Sequence, residues 1–311
     1  FGLNANFNIS YNRAKIDKLA GGQTWQSSNW GGKPAGQNDF FIEEGGRLGE
    51  VYGYELDGFY TTDDFSWDGS KWILNENLTD PTELIKYNNF GPGSLKLKAD
   101  EDGKFTKKRL GNTVPTVTGG FGINMRYKNF DLSAFFNYSL GNKIVNATKL
   151  GSSYYNDTKK GWNLNDNFTL AKRYSWIDPS TGENMLKSSY IKSNGLDYTI
   201  NRLNEINAGA SMYNPGSITE MPLLDWAVED GSFLRVNNIS IGYTLPKVFV
   251  NKMFMQNVRI YVTGYNLYCF TKYSGADPEV DTRRSTPMTP GVDYSAYPKS
   301  RSFVGGINVT F

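Results

Sequence analysis

Hydrophobic and polar residues alternate in steps of two at both ends of this chain and in several stretches between. Leu3, Ala5, Phe7, Ile9 and Tyr11 alternate with Asn4, Asn6, Asn8, Ser10 and Asn12. At the other end Phe303, Gly305, Ile307, Val309 and Phe311 alternate with Ser302, Val304, Gly306, Asn308 and Thr310. A period of two is the pattern of a β-strand with one apolar face. In residues 116–140 one face carries Val117, Gly119, Phe121, Ile123, Met125 and Tyr127, and the alternation resumes with Phe130, Leu132, Ala134, Phe136, Tyr138 and Leu140. A two-residue turn at Lys128-Asn129 brings Tyr127 opposite Phe130 and keeps both registers in phase, which predicts a hairpin. In 233–245 the face of Ile239, Ile241, Tyr243 and Leu245 is out of phase with Leu234 and Val236, so a β-bulge is expected near Asn237-Asn238. Val258, Ile260 and Val262 alternate with Arg259, Tyr261 and Thr263. The stretch 246–256 between these two strands reads as one short helical turn or an irregular connector.

The hairpin arms run about ten residues, against a usual ~5–6 in soluble domains, and match the ~9–11 of a tilted membrane-spanning strand. Strands without intervening helices point to an all-β, antiparallel architecture. The connections are unequal: Lys128-Asn129 is two residues, whereas 147–232 and 271–300 are long, polar and rich in Gly, Asn and Tyr. Short turns at one end and long loops at the other are the habit of transmembrane β-barrels. Tyr127, Phe130, Tyr243 and Phe311 fall at the short-turn end, as one aromatic girdle would. A soluble β-sandwich is the competing architecture, since alternation alone does not say which face meets solvent.

Composition narrows the function classes. Mean hydropathy is −0.51, and no apolar run approaches the ~18 residues of a membrane helix. Lys and Arg number 33 against 31 Asp and Glu, so no basic footprint for nucleic acid is present. There is no histidine, which removes His-based triads and His-ligated zinc. The single cysteine, Cys269, leaves no internal disulfide. A chain that begins and ends in mid-strand reads as a piece of something larger, with no signal-peptide pattern at its start.

Several stretches carry a more specific likeness. “VEDGSFLRVNNISIGYTLPK”, “VRIYVTGYNLYCFTKYSGADPEVD” and “PGVDYSAYPKSRSFVGGINVTF” resemble the C-terminal third of SusC-like (RagA/SusC family) TonB-dependent outer-membrane transporters. The resemblance rests on Glu229 to Arg235, Gly242 to Pro246, Asn266 to Tyr268, Tyr273 to Glu279, and Tyr297 to Phe303. “GYELDGFY” and “YKNFDLSAFFNYSLGNKIVN” upstream match as well, so the likeness runs in order along most of the chain. Tyr268 stands where the family usually has Phe. The stretch from Asp100 through Asp102 to Phe105 is a remnant of a calcium-loop-like sequence; with two aspartates and one glutamate among lysines it predicts a turn rather than a metal site.

The resemblance implies an antiparallel transmembrane barrel of roughly 22 strands with a plugged lumen. About nine strand signals are present here, so that number of strands would need more than twice this length. Residues 1–311 are then expected to be the C-terminal portion of one barrel domain, with the plug and first strands absent and the remainder of the same barrel as a neighbour. With Phe311 periplasmic, parity places about 14–115, 141–232 and 271–300 outside the cell, the first with a small hairpin of its own, and Lys128-Asn129 and 246–256 in the periplasm. The implied function is active import of a large nutrient, most of all an oligosaccharide, across the Gram-negative outer membrane. Its implied partners are the TonB complex, a SusD-like surface lipoprotein acting as a lid, and membrane lipid. No step is chemical, so neither catalytic residues nor a cofactor is expected. The rival from another class is an all-β glycan-binding module or adhesin that transports nothing. For sugar contact the candidates are Tyr154, Tyr155, Trp162, Tyr174 and Trp176, whose rings could stack on a sugar while nearby amides bond its hydroxyls; packing of the loop against itself is the alternative. Gly306, Val309 and Phe311, taken as in phase, resemble the C-terminal signal of barrel assembly.

Overall fold

The computed structural model describes residues 1–22, 24–27, 30, 37–155, 163–252, 254–279 and 288–311. Six long strands form one sheet: β1 (Gly2–Tyr11), β2 (Val117–Tyr127), β3 (Phe130–Leu140), β4 (Phe233–Thr244), β5 (Asn257–Thr271) and β6 (Ser302–Thr310). Each pairs antiparallel with the next in chain order, an up-and-down meander with β1 and β6 as its edges. The expected hairpin is present, with Tyr127 opposite Phe130 and Lys128 in the left-handed region at φ 51°. The expected bulge is present too: against β3 the register shifts between Val236 and Asn238 and leaves Asn237 as the extra residue, while against β5 the excess lies on β5, where Asn266 and Leu267 stand opposite Asn237. On β5 the shift is absorbed beside Asn266, at φ 53°. Asparagine tolerates that conformation better than most residues.

The sheet has two unlike faces. Leu3, Met125, Leu132, Ile241 and Val262 lie in one row across five strands, and Tyr127, Phe130, Tyr243, Ile260 and Ile307 in another. Leu3, Phe7 and Ile9 are each more than 60 % exposed. A soluble protein does not leave so wide an apolar face in water, whereas a lipid-facing barrel wall requires one. Aromatics mark both ends of this band: Tyr127, Phe130 and Tyr243 at the short-turn end, Tyr11, Tyr138, Tyr268 and Phe270 at the other. Phe130 and Tyr138 are eight residues apart on β3, about 27 Å along the strand and about 21 Å along the normal at a tilt of ~40°, close to the ~25 Å apolar band of such barrels.

All three long connections leave the sheet at the end opposite Lys128-Asn129, as parity requires. Their interior departs from the expectation of open loops. They fold into small sheets, such as the four-stranded one of Trp25–Ser27, Phe40–Ile42, Glu50–Gly53 and Lys108–Asn112. One buried core draws on all three connections: Val51, Tyr54, Ile85 and Leu95 from the first, Val145, Leu150, Tyr213 and Leu224 from the second, Val292 from the third. A second core joins Tyr60, Phe65 and Trp72 to Tyr174, Trp176, Met185 and Leu203, under a helical hairpin of Ser188–Asn194 and Leu196–Ile206. Strands of two to five residues present too few alternations to announce themselves, so their partners, often more than a hundred residues away, show only in three dimensions.

Candidate functional site: a polar wall under a folded loop cap

The face of the sheet opposite the apolar one is built from amides and hydroxyls. Asn4, Asn124, Ser133, Ser240 and Thr263 lie side by side across β1 to β5, and the Thr263 hydroxyl sits 2.8 Å from Ser240 Oγ. Nearer the loops, the Asn237 amide donates to Asn137 Oδ1 at 3.2 Å, and Asn8 Oδ1 accepts from the Gly120 N–H at 3.0 Å. Charge gathers at the short-turn end. Arg259 grips Asp131 with Nε at 2.9 Å and a terminal nitrogen at 2.5 Å, reaching over β4. It crosses at Gly242, where a Cβ would stand 2.4 Å from the guanidinium, so only glycine admits the bridge. On β6, Gly306 serves the Tyr261 ring in the same way: a Cβ there would lie 2.5 Å from it.

At the loop end, two acidic stretches tie the cap to the wall. Arg235 is buried on β4 and donates to Asn266 Oδ1 and to Asp277 Oδ1, both at 2.6 Å. Its Nε lies 2.8 Å from Glu279 Oε2 but out of hydrogen-bond line, and Lys299 closes on the same carboxylate at 2.5 Å. Six residues before Arg235, Glu229 accepts from the Ser274 N–H at 2.8 Å and the Ser274 hydroxyl at 2.7 Å, with Lys149 Nζ at 3.1 Å. Burial alone would raise the Glu229 carboxyl; the Ser274 donors and the Lys149 ammonium outweigh it and hold the group below the usual carboxylate range. Tyr273 donates to Asp293 Oδ2 at 2.6 Å, and burial together with that carboxylate pushes its hydroxyl far up. Glu229 to Arg235 and Tyr273 to Glu279 are therefore two halves of one clasp holding the third long loop against the second.

Beside the clasp lies a cavity of about 390 Å³ bordered by Asn146, Lys149, Asn165, Ser274, Asp293 and Ser295. Most of its polar groups are already engaged. Asn146 Oδ1 caps Lys149 N, Asn165 donates to the carbonyls of Lys149 and Ser152, and the Thr148 hydroxyl meets Ser295. The cavity is a seam between two loops, and the groups on it hold those loops together.

Comparison with known proteins fits this geometry. No family model matches the chain. TonB-dependent receptor P3 of Formosa agariphila is 30 % identical over 98 % of the chain and 26 % of the receptor. TonB-dependent receptor SusC of Bacteroides thetaiotaomicron is 23 % identical over the whole chain and 24 % of its own length. The chain belongs to the SusC-like TonB-dependent receptors. The RagAB peptide importer in its closed-closed state superposes with a TM-score of 0.54 at 21 % identity, over 99 % of this chain and 27 % of that one, a likeness of fold. The chain thus spans about a quarter of the length of the curated relatives it matches. Six wall strands out of ~22 are a similar share of a barrel. Outer-membrane placement in a Gram-negative bacterium follows from the family, and its apolar face is the lipid face, its polar face the lumen.

Within this SusC-like wall and cap, the aromatics predicted to meet sugar do not stand together on one surface. Tyr154, Tyr174 and Trp176 are buried. Trp176 Nε1 donates to the Pro92 carbonyl at 2.7 Å, the Tyr174 ring lies on Gly93 and meets Phe59 edge-on, and burial lifts the Tyr154 hydroxyl to about 12. Tyr155 is exposed, and Trp162 lies outside the described residues. Asp100 Oδ1 accepts the N–H groups of Asp102 and Lys104, which makes the turn, and Asp102 is exposed. Gly306, Val309 and Phe311 are not in phase: strand alternation puts Gly306 on the lumen face, while Val309 pairs with Val258 on the lipid face and Phe311 follows it past the strand end. Two linked sets were not visible as such in the sequence: Asp131 with Arg259, and Arg235 with Asn266 and Asp277. The Glu229–Arg235, Asn266–Tyr268 and Tyr273–Glu279 motifs hinted at the second set, and nothing paired Asp131 with Arg259.

Proposed function

We propose that this chain is wall and surface loop of a transporter that takes a large neutral nutrient, an oligosaccharide, across the outer membrane on energy from the TonB complex, with a SusD-like lipoprotein closing over its loops. The observation that carries the cargo class is the lumen face at mid-height, where Asn4, Asn124, Ser133, Ser240 and Thr263 offer amides and hydroxyls without charge. Such a surface exchanges hydrogen bonds with hydroxyls and water at little cost, and fixes no ion that would trap the cargo. Of the candidate aromatics among the described residues, Tyr155 is the one exposed and free to meet sugar. Uptake of a labelled oligosaccharide and of a labelled peptide of similar size, in cells with and without TonB, tests this. TonB-dependent entry of the sugar is expected. TonB-independent entry would overturn the mechanism, and entry of the peptide alone would overturn the cargo.

A further inference from the structure

The connection between β4 and β5 is the larger of the two short-end turns, and it does not end flush with the wall. Its helix Lys247–Lys252 packs on the start of β5, where Val250 and Val258 are both buried. Val258 belongs to the same alternating set as Ile260 and Val262 and pairs with Val309, so it is a lipid-face position. Ile260 and Val262, two and four residues along, are exposed, whereas Val258 is covered. The helix therefore lies on the outside of the wall. There it turns outward Val248, Phe249 and, just past its end, Phe254, which is 94 % exposed. Lys252 is exposed at the end of this helix, and Lys128 stands at the neighbouring turn beside Tyr127, whereas Lys247 borders the cavity that holds Arg126, Asp131 and Arg259.

We propose that helix Lys247–Lys252 with Phe254 is an interfacial anchor, with Val248, Phe249 and Phe254 entering the acyl-chain boundary of the periplasmic leaflet while Lys252 and Lys128 meet phospholipid phosphates. Two features select lipid as the occupant. The patch lies at the same end of the wall as the girdle of Tyr127, Phe130 and Tyr243, on the lipid-facing side where the helix covers Val258. The charges beside it, Lys252 and Lys128, are positive, which suits phosphate and lets long lysine stems reach from apolar surroundings to the headgroups. A turn held this way would fix the depth of β4 and β5 in the bilayer independently of any protein partner.

The test uses the complete transporter with its native cysteines changed to serine, in vesicles of phosphatidylethanolamine and phosphatidylglycerol. Nitroxide labels are placed through Phe249→Cys, Phe254→Cys, Val262→Cys as a mid-band reference and Asp102→Cys as a water reference. Relaxation by oxygen is compared with relaxation by a water-soluble nickel chelate. The labels at 249 and 254 should show an oxygen-to-nickel ratio several-fold above that at 102 and approaching that at 262. A ratio equal to that at 102 would place the turn in water, and protection from both reagents would place it under protein; either overturns the anchor. The Lys128→Glu/Lys252→Glu variant should lower the ratio at 249, and an unchanged ratio would overturn the headgroup contacts.

Discussion

Trp176 offers the sharpest separation of scaffold from binding surface. It is buried in the second loop core with Tyr174, Met185 and Leu203, and its indole N–H is bonded to the Pro92 carbonyl. Trp176→Ala removes a side chain whose truncation in a packed core typically costs 3–5 kcal/mol, and it strands a buried carbonyl worth about 1 kcal/mol more. Taking about 4 kcal/mol as the effect on local opening, the open fraction of this core rises roughly a thousandfold. Proteolysis tracks that fraction while opening is fast relative to cleavage. Trypsin acting on the complete protein in outer-membrane vesicles should therefore cut near Lys172, Arg173, Lys187 and Lys192 far sooner in the variant. Because Trp176 lies in no wall strand, the heat-resistant barrel band on gels should persist. Trp176→Phe should fall between the two, since it keeps apolar bulk and loses the hydrogen bond. Tryptic rates within experimental error of the parent would refute the reasoning and restore Trp176 as a surface residue.

Arg235→Ala should loosen the third long loop, because a buried Asp277 left without its partner costs about 3–5 kcal/mol; hydrogen exchange at 273–279 should rise, and Arg235→Met with Asp277→Leu should recover most of the protection. Deleting Asn237 removes the bulge and turns Ile239, Ile241 and Tyr243 toward the lumen or Leu234 and Val236 toward it, so outer-membrane levels should fall steeply, whereas Asn237→Gly should leave them near normal. Asp178 is held at about 2, against an ordinary 3.8, by the Tyr190 hydroxyl at 2.6 Å, the Ser180 N–H and the Arg202 guanidinium. A carboxyl depressed in the folded state contributes fully above its unfolded value and is lost as pH falls through its folded one. The protection factors of the hairpin 188–206, exchange rates divided into their intrinsic values at each pH, should thus stay constant down to about pH 4 and fall toward pH 2, and Asp178→Asn should abolish that pH dependence.

The wall was legible in the sequence because each of its strands repeats a period of two over nine or more residues, and a hairpin with two turn residues leaves no freedom of register. Even the bulge at Asn237 showed, as a phase error between Val236 and Ile239. The cap was illegible for the opposite reason. Phe40–Ile42 and Leu95–Leu97 are three residues each, too short for a period, and their burial depends on partners in other connections. The sugar-contact candidates drew attention because aromatics crowd among Asn and Asp between 154 and 176, yet that crowding also describes a small core with polar edges, which is where Tyr154, Tyr174 and Trp176 lie. The Asp131–Arg259 bridge was hidden because its two ends are 128 residues apart and are joined only by a glycine gap on the strand between them.

The first core of the cap carries a consequence for how such proteins diversify. Val51, Leu224 and Val292 come from three separate connections and share one interior. Shortening or exchanging any one of them removes a wall of a chamber the other two also line. Ordinary surface loops evolve singly, since each can lengthen or shorten without consulting its neighbours. These three form a single packing unit. A chimera that transplants one of them between relatives should misfold its cap, while one that transplants all three together, with the Arg235 and Glu229 anchors beneath them, carries its whole interior along.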